Sequence, residues 1–481
     1  MFDFVVVGAG SAGCVLAGRL SEDPDVRVLL LEAGPHDRRL EVRVPAAFSR
    51  LFHGRRDWDL ATEPEEPLAG RSLYVPRGRM LGGSSSLNAM IYIRGHRVDF
   101  DGWAATGCPG WSYAEVLPLF KRSEHQERGA SEYHGAEGPL WVSDPRSPSP
   151  LSREFVAAAV ASGLPANDDF NGEHQEGAGL YQLNQRHGRR WSSADAFLHP
   201  ARSRPNLTVF TGTRATRVLW DGRRAVGVEY ERRGRLEAVL VERSVVLAAG
   251  AIHSPHLLML SGVGPAAELE RAGVAVHHEL PAVGRHLQDH PVVAVSFQTH
   301  GPTALESADS FASLARWSWG RRGPLTSNVA EGGGFFRSSS AEPAPDLQFH
   351  FAPALFEDHA LCPGESESTS SGRPSWRRRA RRGVAARGAD ARCLRPCVDR
   401  PGLERTPTVS STGQRARAAR RALAGLAEGP RAPVRLRSRA ALRRWVRKAE
   451  PVYPPSGPAA WADECVSCQR CRSCDLENLQ V

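Results

Sequence analysis

The first 32 residues carry the pattern that most limits what this chain can become. Phe2-Asp-Phe-Val-Val-Val7 is a continuous β-branched run, the text of a strand covered on both faces. It enters Gly8-Ala-Gly-Ser-Ala-Gly13, and a helical pattern follows with Val15, Leu16 and Leu20 on one face, ending before Asp23-Pro24. A second strand, Val26 to Leu31, closes at Glu32, nineteen residues after Gly13. Strand, glycine turn, helix and strand in about thirty residues form a β–α–β unit. Gly8 permits the tight turn, Gly10 lets backbone approach a diphosphate, and Gly13 lets helix and strand pack closely. The diphosphate then rests on free amides at the helix start, and Glu32 accepts hydrogen bonds from ribose hydroxyls. The pattern predicts a dinucleotide site and leaves NAD and FAD both open.

Length and charge set the frame around this unit. A chain of 481 residues exceeds what one core organises, so more than one domain is expected. With 41% hydrophobic and 24% charged residues the chain is neither fibrous nor wholly disordered. The formal charge of +9 invites a nucleic-acid reading, but residues 371–450 alone carry 22 Arg and one Lys against five acids, a net +18 that leaves the other 401 residues at −9. The basicity belongs to one segment, and no nucleic-acid partner is expected for the rest. Cys14, Cys108 and Cys362 are scattered, with no disulfide framework, which points to a reducing compartment. The uncharged stretch Phe4–Gly18 lacks a basic leader and is too short to span a bilayer, so the expectation is a soluble, cytoplasmic protein with room for peripheral membrane association.

Further along, Gly78–Gly95 is rich in Gly and Ser and then apolar. Residues 151–163 read as an amphipathic helix. Two strand-like runs, Leu207–Phe210 and Val226–Tyr230, flank Asp221-Gly222, a hairpin signal. Val245–Ala249 is a buried-type strand running into a helix over about Pro255–Leu260, and Asp346–Phe351 alternates like a strand with one buried face.

Two long stretches resolve the choice of cofactor. Pro76-Arg-Gly-Arg-Met-Leu-Gly-Gly-Ser-Ser-Ser-Leu-Asn-Ala-Met-Ile-Tyr-Ile-Arg-Gly95 resembles the first signature of the glucose–methanol–choline (GMC) oxidoreductases, and Gly250-Ala-Ile-His-Ser-Pro-His-Leu-Leu-Met-Leu-Ser-Gly-Val-Gly264 resembles the second. The likeness extends to Leu29–Gly34, Asp99–Ala104, Arg190–Phe197 and Val283–His290, and covers roughly residues 1–360. It implies an α/β fold: an FAD-binding Rossmann-like domain with an interleaved substrate domain built on an antiparallel sheet. It also implies FAD-dependent oxidation of a small-molecule alcohol, choline dehydrogenase being one such activity, with oxygen, a quinone or a carrier as electron acceptor. By the same likeness Gly8, Gly10, Gly13 and Glu32 hold the ADP half. Met80, Gly82, Gly83, Asn88, Ala89, Met90 and Ile91 line the diphosphate and flavin, and Val218 meets the adenine through its backbone, or else is an ordinary strand core residue. Some relatives attach FAD through a His just before the Asn. Here that position is Leu87, so the flavin is expected to be non-covalent. His253 and His256, beside a helix start, read as structural, and no metal ligands are assigned.

The likeness breaks late. The family's base is the His of an HPVGTCRMG motif, and in its place stands Tyr453-Pro-Pro-Ser-Gly-Pro-Ala-Ala-Trp-Ala462. A coding sequence for Tyr-His-Pro-Val-Gly-Thr-Cys-Arg-Met-Gly, with the middle base of the His codon deleted, reads Tyr-Pro-Pro-Ser-Gly-Pro-Ala-Ala-Trp. We hypothesise a single-nucleotide frameshift, which codons that cannot be reframed this way would exclude. Catalytic residues are therefore assigned to none of the positions. Cys465, Cys468, Cys471 and Cys474 have near-cluster spacing but fall inside the shifted stretch, so metal binding is not expected.

The expected organisation is an FAD-binding region over 1–300 with substrate-domain segments around 101–190, the start of the substrate domain over 301–365, an aberrant Arg/Cys-rich stretch over 366–474, disordered or out of frame, and a short family-like end, 475–481. A non-catalytic FAD-binding remnant is the alternative reading. A basic-tailed nucleic-acid or metal-cluster protein is the third.

Overall fold

The computed structural model describes residues 1–290, 292, 295, 308 and 310–354. The Arg-rich stretch, the cysteine cluster, the 453–462 segment and the 475–481 end lie outside the described residues.

The β–α–β unit forms as expected. Strand β1 (Phe2–Val7) pairs in parallel with β2 (Val28–Glu32), and α1 (Ser11–Leu20) crosses between them. Alternate side chains of the two strands enter different layers. Val6, Val28 and Leu30 pack with Cys14 and Ala17 of α1, while Val5, Val7, Leu29 and Leu31 enter a second core on the opposite face. That division explains the unbroken apolar text of both strands: neither face meets water.

The strands numbered here in chain order continue with β3 (Gly177–Leu180), β4 (Leu207–Thr211), β5 (Thr213–Asp221), β6 (Arg224–Arg232), β7 (Arg235–Leu247), β8 (Gly332–Phe336) and β9 (Leu347–Phe351). The main sheet has the order β4-β2-β1-β7-β6-β5. Strands β4, β2, β1 and the second half of β7 run parallel; β7, β6 and β5 form an antiparallel meander. The thirteen residues of β7 serve both parts, Arg235–Leu240 pairing with β6 and Val241–Leu247 with β1. Val218, Val228 and Tyr230 of the meander, with Leu257 of the following helix, fill the second core.

The hairpin expectation needs one correction. Asp221-Gly222 does turn between two strands, but they are β5 and β6. Leu207–Thr211 lies at the other edge of the sheet, in parallel register with β2. The 250–264 helix spans Gly250–Leu260, longer than the sequence indicated, and runs through Pro255 in its second turn, where the proline leaves the Ala251 carbonyl without its intrahelical donor.

A smaller antiparallel sheet, β9-β8-β3, is assembled from distant segments. The helix Pro150–Ala161 packs on it, with Phe155 stacked on Phe351 at 4.6 Å between ring centroids. Tyr181 is fully buried there and donates its hydroxyl to the Phe349 carbonyl. Strand β9 is less covered than its alternation suggested: Leu347 and Phe349 are 43% and 46% exposed. Strand β3 of the small sheet falls in sequence between β2 and β4 of the large one, while β8 and β9 follow the last strand of the large sheet. No helix among the described residues is long and apolar enough to cross a membrane.

Candidate functional site

The glycine turn sits where β1 ends. Gly8 has φ +97°, a conformation open to glycine at little cost, and its amide donates to the Leu31 carbonyl at 2.8 Å. Gly13 touches the turn directly: a Cβ there would fall 1.8 Å from the Gly8 carbonyl oxygen. At Gly10 a Cβ would meet nothing nearer than the Ala248 carbonyl oxygen at 3.8 Å. Gly10 is the N-cap residue of α1, and no side chain caps that helix. The first-turn amides of α1 thus face a space where a group rich in oxygen acceptors can bind.

Glu32 ends β2 and is 5% exposed. Its Oε2 accepts from the Ala9 amide at 2.9 Å and its Oε1 from the Gly34 amide at 2.7 Å, tying the turn to the next loop. Burial pushes its carboxyl up to about 7, against the opposing pull of those two amides and of the Arg79 guanidinium. Around it, Arg79 lies 4.9 Å over the Trp58 ring, and Trp58 packs at a tilt against His253 with 4.1 Å between ring centroids. Burial lowers the His253 imidazole, helped by the neighbouring His256 and Arg77. His36 Nδ1 and Arg79 Nε are buried with no hydrogen-bond partner among the described residues. A ligand edge carrying donors and acceptors suits that surround.

The 78–91 segment closes the cradle. Gly82 donates its amide to the Ala9 carbonyl at 2.8 Å, and Leu81 to the Pro35 carbonyl at 3.2 Å. Gly83 lies against the turn so closely that a Cβ would be 2.6 Å from Gly10 Cα. Met80 is fully buried beside Val42, Leu51 and Leu87. Beyond, Asn88 is exposed, Ala89 and Ile91 are half-buried and Met90 is buried. Met90 takes φ +60°, an unfavourable setting for a non-glycine residue that its neighbours must hold. The Asn88 side-chain oxygen accepts from the Met90 amide, the Met90 carbonyl accepts from the Asn184 amide, and the Ala89 carbonyl accepts from Asn328 Nδ2.

The expected site residues Gly8, Gly10, Gly13, Glu32, Met80, Gly82 and Gly83 therefore come together around one turn, with Asn88–Ile91 following in the same segment. Val218 stands on the back face of the sheet, 2% exposed, with its amide donating to Ser261 Oγ at 2.9 Å. Sequence reasoning gave no role to Arg190, which is 1% exposed and donates to the carbonyls of Val42, Ser85 and Asn88 and to Asn88 Oδ1. Its only sequence signal was its place at the head of the Arg190–Phe197 likeness.

Comparison with known proteins agrees with this geometry. The family model described as GMC oxidoreductase matches residues 2–292. An alcohol dehydrogenase [acceptor] of Pseudomonas putida is 48% identical over 368 residues, covering 75% of this chain and 67% of that protein. The mitochondrial choline dehydrogenase of Mus musculus is 47% identical over 379 residues, covering 76% of this chain and 64% of the relative. Among solved structures, pyridoxine 4-oxidase from Mesorbium loti matches with a TM-score of 0.65 and 36% identity, over 74% of this chain and 67% of that one. An FAD-dependent oxidoreductase from Chaetomium thermophilum matches with a TM-score of 0.65 and 30% identity, over 70% and 62%. The chain thus spans about two thirds of the length of the relatives it matches. By sequence, by fold and by the make-up of its nucleotide cradle, it belongs to the GMC oxidoreductase family, a family of FAD-binding proteins.

Proposed function

We propose that this chain binds FAD non-covalently and serves the oxidation of a primary or secondary alcohol, with turnover impaired by the altered late motif. The carrying observation is the turn Gly8–Gly13 sealed by Gly82 and Gly83, a cradle with uncapped helix amides and no side chain in the way. Gly8 and Gly10 shape the turn that receives the diphosphate, Gly13 lets α1 close on that turn, and Glu32 receives a ribose hydroxyl. Met80, Gly82, Gly83 and Asn88–Ile91 line the rest; Val218, packed in the second core with its amide given to Ser261 Oγ, fits the strand-core alternative better than a contact to the adenine. Leu87 supports the non-covalent reading: it is an apolar core residue with no nucleophile to offer.

When bound, FAD supplies the acceptor for the hydride that leaves the alcohol carbon. The protein's own task is to orient the alcohol and take its hydroxyl proton. Tyr453–Ala462 holds no His for that task. This favours the second reading, a flavin-binding remnant without catalysis. The partners are a small-molecule alcohol and an electron acceptor drawn from oxygen, a quinone or a carrier, with no nucleic acid. The free cysteines Cys14 and Cys108 support a reducing compartment, the cytoplasm.

Visible absorbance of the purified chain with added FAD tests the reading. A two-banded flavin spectrum retained through gel filtration supports it, and a colourless protein overturns it. Anaerobic bleaching by choline or simple alcohols then separates enzyme from remnant.

A further inference from the structure

Arg190 is the most deeply buried charge near the cradle, and its surroundings are unusual. All its described partners are neutral: Nε donates to the Val42 carbonyl at 3.0 Å, Nη1 to the Ser85 carbonyl at 3.0 Å and to Asn88 Oδ1 at 2.9 Å, and Nη2 to the Asn88 carbonyl at 2.7 Å. The neighbouring carboxylate, Asp195, is committed elsewhere, accepting from Arg43 Nη1 at 2.5 Å and from the amide and hydroxyl of Ser192 at 3.0 and 2.8 Å. Burial pushes the Arg190 guanidinium down to about 9, so it stays cationic at neutral pH. A buried guanidinium without its own counter-ion is costly unless a negative group answers it. What it holds in return is the 85–88 segment, which joins Gly83 at the glycine turn to the strained Met90.

We propose that Arg190 is a positioning residue of the cofactor site: it fixes the 85–88 segment through both polar groups of Asn88 and supplies a buried positive charge to the negatively charged cofactor. This rests on the FAD reading above. The planar fork explains the choice of residue, since a single guanidinium reaches carbonyls at Val42, Ser85 and Asn88 together, which one ammonium cannot match.

The test uses the full chain titrated with FAD, following quenching of flavin fluorescence, with the flavin midpoint potential measured against a redox dye. Arg190→Met weakens FAD binding by roughly 10–100-fold, the usual scale for a positioning partner, and lowers the midpoint potential. Arg190→Lys restores the potential, because the charge returns, but only part of the affinity. Asn88→Ala removes one acceptor of the guanidinium and weakens FAD binding, and combined with Arg190→Lys it adds less than the two losses together. If Arg190→Met does not fold, the other two variants decide. Wild-type affinity and potential in both Arg190→Lys and Asn88→Ala overturn the role of Arg190. A wild-type chain that quenches no flavin fluorescence overturns the FAD reading itself, and this inference falls with it.

Discussion

Gly13 rests on Gly8 with no room for a single added carbon: a Cβ at position 13 would stand 1.8 Å from the Gly8 carbonyl oxygen. Backbone on both sides must move to admit one. Gly13→Ala is expected to lose about 1–3 kcal/mol of stability, as overpacking does, and to lose FAD binding because the turn shifts. Urea unfolding and FAD titration of the same protein measure both. An alanine variant with wild-type affinity would refute the close contact.

Glu32 predicts a pH dependence of known sign. Its carboxyl, ordinarily near 4.5, is held up to about 7, so the fold favours the protonated form. The stability it contributes is full below pH 4.5 and is lost as pH rises to 7, on the order of 3 kcal/mol. Thermal melts of the FAD-free chain across that window are expected to fall, and to fall less in Glu32→Gln, which cannot ionise. Equal slopes in the two proteins count against this account.

His134 acts at the other end of the scale. Burial alone would lower its imidazole, but Asp169 and Glu124 hold it up to about 9, with Nε2 2.8 Å from Asp169 and Nδ1 2.9 Å from Glu124. Its contribution is fully present below pH 6.5 and is lost as pH rises through 9. His134→Gln is expected to cost about 2–3 kcal/mol at pH 6 and much less at pH 10. Chemical denaturation at the two pH values reads the difference.

Restoring the late motif is expected to restore turnover. Replacing Tyr453–Ala462 by the product of the reinserted nucleotide returns a His able to take the hydroxyl proton, worth about 10²–10⁴-fold in rate for general-base catalysis. Anaerobic flavin bleaching by alcohols, compared before and after the repair, measures it. No gain in a well-folded, FAD-loaded protein would mean that more than this motif has been altered.

The nucleotide turn was legible because its pattern is local: the Gly8–Gly13 spacing and Glu32 lie within one β–α–β unit, and Gly13 answers a contact five residues away at Gly8, although the Ala248 that crowds Gly8 comes from far along the chain. Strand β5 escaped because Thr213-Arg-Ala-Thr-Arg217 reads as polar; only β6 beside it and the core behind Val218 make it a strand. Arg190 escaped for a related reason. Its partners Val42, Ser85 and Asn88 are 148, 105 and 102 positions away, and a lone arginine carries no periodicity to reveal such reach.

Strand β7 has a consequence of its own. It is one strand of thirteen residues, paired with β6 along its first half and with β1 along its second, with a register shift between Val241 and Ser244 where the partner changes, and it delivers Ala248 to the underside of Gly8. The two halves of the sheet therefore open as one cooperative unit, so amide protons from Leu236 to Leu247 should exchange with solvent in step, and a lesion in the distal meander will be felt at the glycine hinge some tens of ångströms along the chain.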